Sequence, residues 1–282
     1  MKKRKYIFIL MMTAAVAACF FLYFEKHGIV GASGPSGEIS AQQAILIDGD
    51  TGEVLYEKAA DERAYPASIT KIMTALITLE TLEKYDSPIE QKVRIPKSAA
   101  GTEGSSLYLR AGEEISIEDL LYGLMLVSGN DAAEALAEII GGSRSEFVMM
   151  MNNRARELNC RGTSFANPSG LFDEDHYTTA RDMATIAREA MKDPTFRKIV
   201  ASESRRADRE GGEYEVFYNK NKTIRQFKGG NGIKIGYTEK SGRTLAASAE
   251  RKGRTMICVV MGAPDWFNDA YRLMEYGFDS KS

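Results

Sequence analysis

Pro66-Ala67-Ser68-Ile69-Thr70-Lys71-Ile72-Met73-Thr74-Ala75-Leu76-Ile77-Thr78-Leu79 marks the point where this 282-residue chain turns from strand to helix. Ile69, Ile72, Met73, Leu76, Ile77 and Leu79 recur at helical spacing behind Pro66, a residue tolerated in the first turn of a helix because the N–H it lacks has no partner there. Just upstream, Ala44-Ile45-Leu46-Ile47-Asp48 and Glu53-Val54-Leu55-Tyr56-Glu57 read as strands joined by the turn-forming Gly49-Asp50-Thr51-Gly52, an antiparallel hairpin. Downstream, periodicity predicts helices over 117–126, with Ser116 and Asp119 placed as a capping pair, over 131–140 before Gly141-Gly142, over 146–158, and over 179–191 before Pro194. Short apolar and β-branched runs then return at 213–218, 233–237, 243–249 and 255–261, and an amphipathic helix over 266–278 follows. Early strands, central helices and late strands imply an α/β (α+β) fold: one antiparallel sheet built from the first and last strands, with a helical subdomain between them.

Composition agrees with a globular chain, 44% hydrophobic and 27% charged, and a net charge of -2 provides no basic field for nucleic acid. Lys2-Lys3-Arg4-Lys5 precedes an uncharged run from Tyr6 to Phe24, close to the ~20 residues a helix needs to span a bilayer. The basic flank is expected to stay cytoplasmic and everything after it to be exported, so residues 1–27 read as a membrane anchor or signal segment. Cleavage after Ala17-Ala18 and lipidation at Cys19 are the alternatives; the apolar run continuing through Phe24 favours an uncleaved anchor. Residues 28–40, rich in Gly and Ser, read as a flexible tether to a single domain over 41–282.

Ser68 and Lys71 are three residues apart and hence on one face of a helix, the arrangement a serine nucleophile with a lysine base requires. Lysine accepts a proton near neutrality only when burial, a second cation or a helix N-terminus lowers its pKa from ~10.4. Alone the pair is weak, since a chain of this length contains on the order of one by accident. Two further elements sharpen it. Ser128-Gly129-Asn130, between two predicted helices, offers a second hydroxyl and an amide to a cleft, and Lys234-Ile235-Gly236 lies on a late strand whose glycine admits a substrate backbone.

Ser-x-x-Lys with Ser-x-Asn and Lys-Thr-Gly boxes is the signature of class A β-lactamases and penicillin-binding proteins. Over nearly its whole exported length the chain resembles the low-molecular-mass penicillin-binding proteins, the serine D-alanyl-D-alanine carboxypeptidases. The likeness extends to 44–48 with 52–55, to 66–74, to 127–133, to Asn167-Pro168-Ser169-Gly170-Leu171 and to His176-Tyr177-Thr178-Thr179-Ala180-Arg181-Asp182, in the family's order. The resemblance implies a β-lactamase/transpeptidase-like fold in which Ser68 is acylated, Lys71 is its base and Ser128 relays a proton to the leaving amine. It also implies that Lys234 helps keep Lys71 neutral and attracts the substrate's carboxylate, that Asn130 and Gly236 line the substrate, and that the N–H groups of Ser68 and Tyr237 hold the oxyanion. The implied substrate is a peptidoglycan stem peptide, the implied inhibitors are β-lactam antibiotics, and neither a metal nor an organic cofactor is required.

The third box departs from the family: isoleucine replaces the usual Thr or Ser, removing a hydroxyl bond to a carboxylate worth ~1.5–3 kcal/mol, and Thr238 is the nearby substitute. Many members also carry a further β-rich domain and a C-terminal membrane helix, whereas here the tether is N-terminal. The alternatives are a class A-like β-lactamase, for which Glu157-Leu158-Asn159 imitates the deacylating glutamate motif, and a catalytically weak wall-binding relative. A Ser-His-Asp hydrolase would need His176, but no Gly-x-Ser-x-Gly elbow surrounds Ser68. Cys160 and Cys258, the two exported cysteines, are compatible with one disulfide or with two buried thiols.

Overall fold

The computed structural model describes residues 34–209 and 215–280. The expected anchor, its cleavage and lipidation alternatives and most of the tether lie outside these residues. Among the described residues no helix is long and apolar enough to cross a membrane.

The described residues from Gly37 onward form a compact unit organised by a five-stranded sheet. Its strands are β1 (Gln43–Asp48), β2 (Val54–Lys58), β7 (Gly230–Thr238), β8 (Gly242–Arg251) and β9 (Arg254–Met261), in the order β2-β1-β9-β8-β7. Every pairing is antiparallel, and β1 lies directly against β9, so the early hairpin and the late strands share one sheet as expected. Both faces are covered, which explains why β1 and β9 read as near-continuous apolar runs rather than alternating ones.

Helix α8 (Trp266–Asp279) covers one face, packing Ala270, Leu273, Met274 and Phe278 on Leu46, Leu245, Cys258 and Val260. The helical layer covers the other: α1 (Lys71–Lys84), α2 (Ile117–Tyr122), α3 (Asn130–Gly141), α4 (Arg144–Glu157), α5 (Ala180–Ala190) and α6 (Pro194–Ala201). A single turn, α7 (Thr223–Gln226), leads into β7. Several of these helices begin on side-chain caps. Ser116 accepts from the Asp119 N–H, Ser143 from that of Glu146 and Thr179 from that of Asp182, each satisfying an N–H the helix leaves unpaired.

Two expectations change. The helix predicted over 117–126 ends at Tyr122 and widens into a π-type turn, Gly123–Val127, which closes on Ser128 in the left-handed region at φ +72°. Gly123 is needed there because a Cβ would stand 2.2 Å from Leu107 Cδ1, so the loop between β3 (Lys92–Arg94) and its partner β4 (Glu114–Ser116) packs against bare backbone. The strand predicted over 213–218 does not join the main sheet: β6 (Val216–Tyr218) pairs with β5 (Ser204–Arg206), a polar segment with no strand pattern. Arg205 fastens that hairpin to α2 through Asp119 at 2.8 Å and Glu118 at 2.7 Å. The alternative left open for the cysteines resolves to two buried free thiols, because Cys160 lies in the helical layer and Cys258 under α8, on opposite faces of the sheet. Burial pushes both thiols up, that of Cys160 to about 12.

The chain is already fixed by Ser40. The Asp269 carboxylate on α8, fully buried, accepts the Ser40 N–H at 3.0 Å, the Ser40 hydroxyl at 2.7 Å and the Ala41 N–H at 2.9 Å. Asp269→Ala removes the acceptor of all three donors and leaves the Ala41 N–H unpaired in a buried site, while exposed Ser40 can turn to water, so stability should fall by about 1–3 kcal/mol. Thermal unfolding measures it; an unchanged midpoint would show that water replaces the carboxylate without loss.

Candidate active site

Ser68 lies in a 3-10 turn, Ala67–Thr70, that leads directly into α1, and Lys71 is the first residue of that helix. Ala67 sits in the left-handed region at φ +50°, a strained conformation for alanine that lifts Ser68 toward the sheet edge. Two glycines permit the close approach. A Cβ on Gly170 would lie 1.9 Å from Ala67 O, and one on Gly236 would lie 2.7 Å from Ser68 N and 2.5 Å from Thr244 Oγ1. The loop at 167–171 and strand β7 thus close on Ser68 from two sides.

The Lys71 amine, fully buried, is the centre of the cluster. It reaches Ser68 Oγ at 3.1 Å, Asn130 Oδ1 at 2.7 Å and Ser169 O at 2.5 Å. Both of the latter are carbonyl oxygens that only accept. A neutral amine has two N–H donors and one lone pair; with the donors spent on Asn130 and Ser169, the lone pair is left for the Ser68 hydroxyl. The Lys71 pKa is lowered from 10.5 to about 7, chiefly by burial, with the Asp131 and Glu134 carboxylates opposing the shift and the Lys220 charge assisting it.

Asn130 is held from behind. Its side-chain N–H donates to Glu103 O at 2.7 Å and its backbone N–H to Ser105 O at 2.7 Å, which fixes the amide with its oxygen toward Lys71. The loop making these contacts is itself organised by Asp131, whose carboxylate accepts the Ser106 hydroxyl and the Leu107 and Leu109 N–H groups at 2.7–3.1 Å. Ser128, 6% exposed, ends the π-type turn, which packs against both α1 and β7.

Along β7 the side chains alternate. Lys234, buried, and Gly236 face the Ser68 side, whereas Ile235 joins the apolar cluster beneath α8. An isoleucine here is used for packing. Thr238 does not stand in for the missing hydroxyl: its Oγ1 is 2.8 Å from Ser241 Oγ and accepts the Ser241 N–H at 3.0 Å, closing the β7–β8 turn. The Tyr237 ring is 63% exposed, so any contribution to the site comes from its backbone.

The expected electrostatics also shift. Lys234 is itself pushed well below its ordinary value by burial and then by the charges of Lys71 and Lys220. Lys220, exposed and just past β6, is the cation that acts on both buried amines, and sequence reading missed it. Its one signal was its place between Asn219 and Asn221, both buried and both capping local backbone. Ser169 was also missed as a ligand of Lys71 because its backbone oxygen, not its hydroxyl, makes the contact.

The rival candidates are accounted for elsewhere. The His176 Nδ1 accepts the Ala166 N–H at 3.0 Å, which places the ring proton on Nε2, donated to Thr70 Oγ1 at 2.8 Å. With burial lowering its pKa to about 4, His176 is a neutral brace between α1 and the 166–170 loop, with no nitrogen left for Ser68. Glu157 ends α4, 65% exposed and paired with Arg154, so the β-lactamase-like motif is a surface coincidence.

Comparison with known proteins places this geometry. Residues 30–265 match the family model described as D-alanyl-D-alanine carboxypeptidase, peptidase S11. The chain is 42% identical over 223 residues to D-alanyl-D-alanine carboxypeptidase DacF of Bacillus subtilis, covering 79% of this chain but 57% of that protein's length. It is 31% identical to DacB2 of Mycobacterium tuberculosis over 95% of both chains. Among solved structures, the Streptomyces K15 DD-transpeptidase superposes with a TM-score of 0.80 at 32% identity, over 86% of this chain and 98% of that one. DacD of Francisella tularensis gives 0.81 at 29% identity, over 86% and 72%. With a family model matching residues 30–265 and relatives above 30% identity on the same fold, the chain belongs to the D-alanyl-D-alanine carboxypeptidase family of serine peptidases.

Proposed function

We propose that this chain removes the terminal D-alanine from peptidoglycan stem peptides through an acyl-enzyme on Ser68. The observation that carries this reading is the contact of Lys71 Nζ with Ser68 Oγ while Asn130 and Ser169 occupy the amine's two donors. As Ser68 Oγ attacks the carbonyl of the penultimate D-alanine, its proton passes to Lys71. The negative oxygen that develops is met by the N–H groups of Ser68 and Tyr237, each such donor being worth ~2.7–4 kcal/mol to the transition state. Collapse breaks the C–N bond, and Ser128 relays a proton to the departing amine. Water then adds to the ester carbonyl as the base takes one of its protons, and as the ester C–O bond breaks that proton passes to Ser68 Oγ, restoring the hydroxyl and releasing the shortened peptide.

Lys234, with Lys220 beyond it, draws in the terminal carboxylate; Asn130 bonds the peptide backbone, and Gly236 leaves room for it beside β7. A β-lactam enters the same path, except that the broken amide stays tethered and blocks water. We place the domain over 41–282 on the outer face of the cell membrane, tethered by 28–40 and anchored by residues 1–27. Glu157's surface position, paired with Arg154, favours the carboxypeptidase over the β-lactamase alternative.

Ser68→Ala should abolish both D-alanine release from diacetyl-Lys-D-Ala-D-Ala and the penicillin adduct seen by mass spectrometry. A folded wild-type chain that forms no adduct would favour a wall-binding module instead. Lys71→Ala should slow acylation by about 10²–10⁴-fold, the usual worth of a positioned base; retained acylation would reject that lysine.

Because the base must be neutral, and its pKa is lowered to about 7, kcat/KM should fall about tenfold per pH unit below about pH 7 and level off above it. A flat profile down to about pH 5 would remove Lys71 from that role. Gly236→Ala should lower kcat/KM by about 10²-fold by driving a methyl group against the Ser68 N–H. A retained rate would show that β7 can shift away.

A further inference from the structure

At the end of β7 away from Gly236, a second cleft of about 190 Å³ opens between the sheet and the helical layer. Asn231 lines it, five residues back along the strand from Gly236 and roughly 16 Å away at ~3.3 Å per residue, so the cleft is separate from Ser68. Its walls are the β1–β2 turn at Asp50, the last turn of α5 at Arg188, α6 at Arg197, and the β8–β9 hairpin at Glu250 and Thr255.

The charges on these walls do not close on one another. Arg188 donates from Nε to Gly49 O at 2.9 Å and from a terminal nitrogen to Asp50 O at 2.7 Å, main-chain carbonyls that carry no compensating charge. Arg197 donates to Met191 O at 3.4 Å, again a carbonyl. Among the described residues, neither guanidinium forms an ion pair, and neither does the Glu250 carboxylate that faces the same cleft. Lys192, at the mouth, is paired with Glu189, and the Asp50 carboxylate accepts the Thr255 N–H at 3.2 Å. The Asn231 amide forms no hydrogen bond with any described residue, and its oxygen is buried without a donor. Buried polar groups are ordinarily paired, so this amide points to a partner outside the chain. Opposite charges that line one cleft without meeting leave a gap that a molecule carrying both charges can span.

We propose that this cleft binds a small free α-amino acid as its zwitterion. The carboxylate lies between Arg188 and Arg197, whose planar guanidinium groups match it in shape and charge. The ammonium goes to Glu250 and to the Asn231 oxygen, which the soft torsion of the amide turns inward. A ligand with only one of the two charges would satisfy one wall and face a like charge on the other. The volume is below the ~300–1,000 Å³ of pockets for drug-sized ligands, which restricts the site to a small molecule. D-Alanine, released in the proposed reaction, belongs to this class; only that choice of ligand rests on the carboxypeptidase reading.

Calorimetric titration of the full chain in detergent with D-alanine tests the site, beside N-acetyl-D-alanine, which lacks the ammonium, and D-alaninamide, which lacks the carboxylate. D-Alanine should bind with a Kd of about 1 mM and each analogue at least about tenfold more weakly. Arg197→Gln should weaken D-alanine binding about tenfold and Glu250→Gln about fivefold, with the thermal midpoint unchanged because both side chains are exposed. Loading Ser68 with benzylpenicillin should leave the affinity as it was. Equal binding of the three compounds, no binding up to about 20 mM, binding that neither substitution moves, or binding lost on acylation of Ser68 each overturns the site. A chain that binds D-alanine as expected but forms no penicillin adduct keeps the site and overturns the carboxypeptidase reading instead.

Discussion

An amine with no solvent contact, donating to two carbonyl oxygens and facing one hydroxyl, is the arrangement around which this molecule is organised. The three partners of Lys71 come from three places far apart in sequence: the turn before α1, the start of α3 and the loop after α4. Holding them to hydrogen-bond distance requires each of those segments to be fixed independently. Burying an ammonium group is costly unless it is paired or loses its charge, and here desolvation resolves the conflict in favour of the neutral form. The Asp131 and Glu134 carboxylates oppose that outcome and Lys220 assists it, so the basicity of Lys71 is a balance struck across α1, α3 and the segment after β6.

Each supporting segment is pinned by its own polar network. Asn167 Oδ1 accepts the Ser169 and Gly170 N–H groups, which turns the Ser169 carbonyl toward Lys71. His176 braces the same loop against Thr70. Asp131 gathers three N–H and hydroxyl donors of the 106–109 loop, and Arg209, with its side chain fully buried, ties Leu107 O to Glu113. Buried networks of this kind rigidify when fully satisfied, which suits a site whose chemistry depends on geometry at the level of a few tenths of an ångström.

The sheet contributes position rather than chemistry. Because β7 is an edge strand with Lys234 and Gly236 on one face and Ile235 on the other, a single strand lines the candidate site and the core at once. The isoleucine in the third box is legible in these terms: it extends the apolar surface beneath α8, and the family's hydroxyl is given up there without replacement by Thr238.

Sequence alone determined a good deal. Local periodicity located most of the helices to within a few residues, though not α6 or the single turn α7, since apolar spacing and side-chain caps act within one or two turns; the order of strands and helices implied the shared sheet. Ser68, Lys71, Asn130 and Lys234 were visible as candidates because their motifs are contiguous. Only tertiary structure decided what depends on distant segments meeting: that a backbone oxygen at Ser169 and an exposed Lys220 act on Lys71, that the two cysteines lie on opposite faces of the sheet, that 216–218 pairs with a charged segment away from the sheet, and that Ile235 faces the core. Carbonyl direction, burial and the sum of charges around an amine are properties of packing, and no spacing along a chain encodes them.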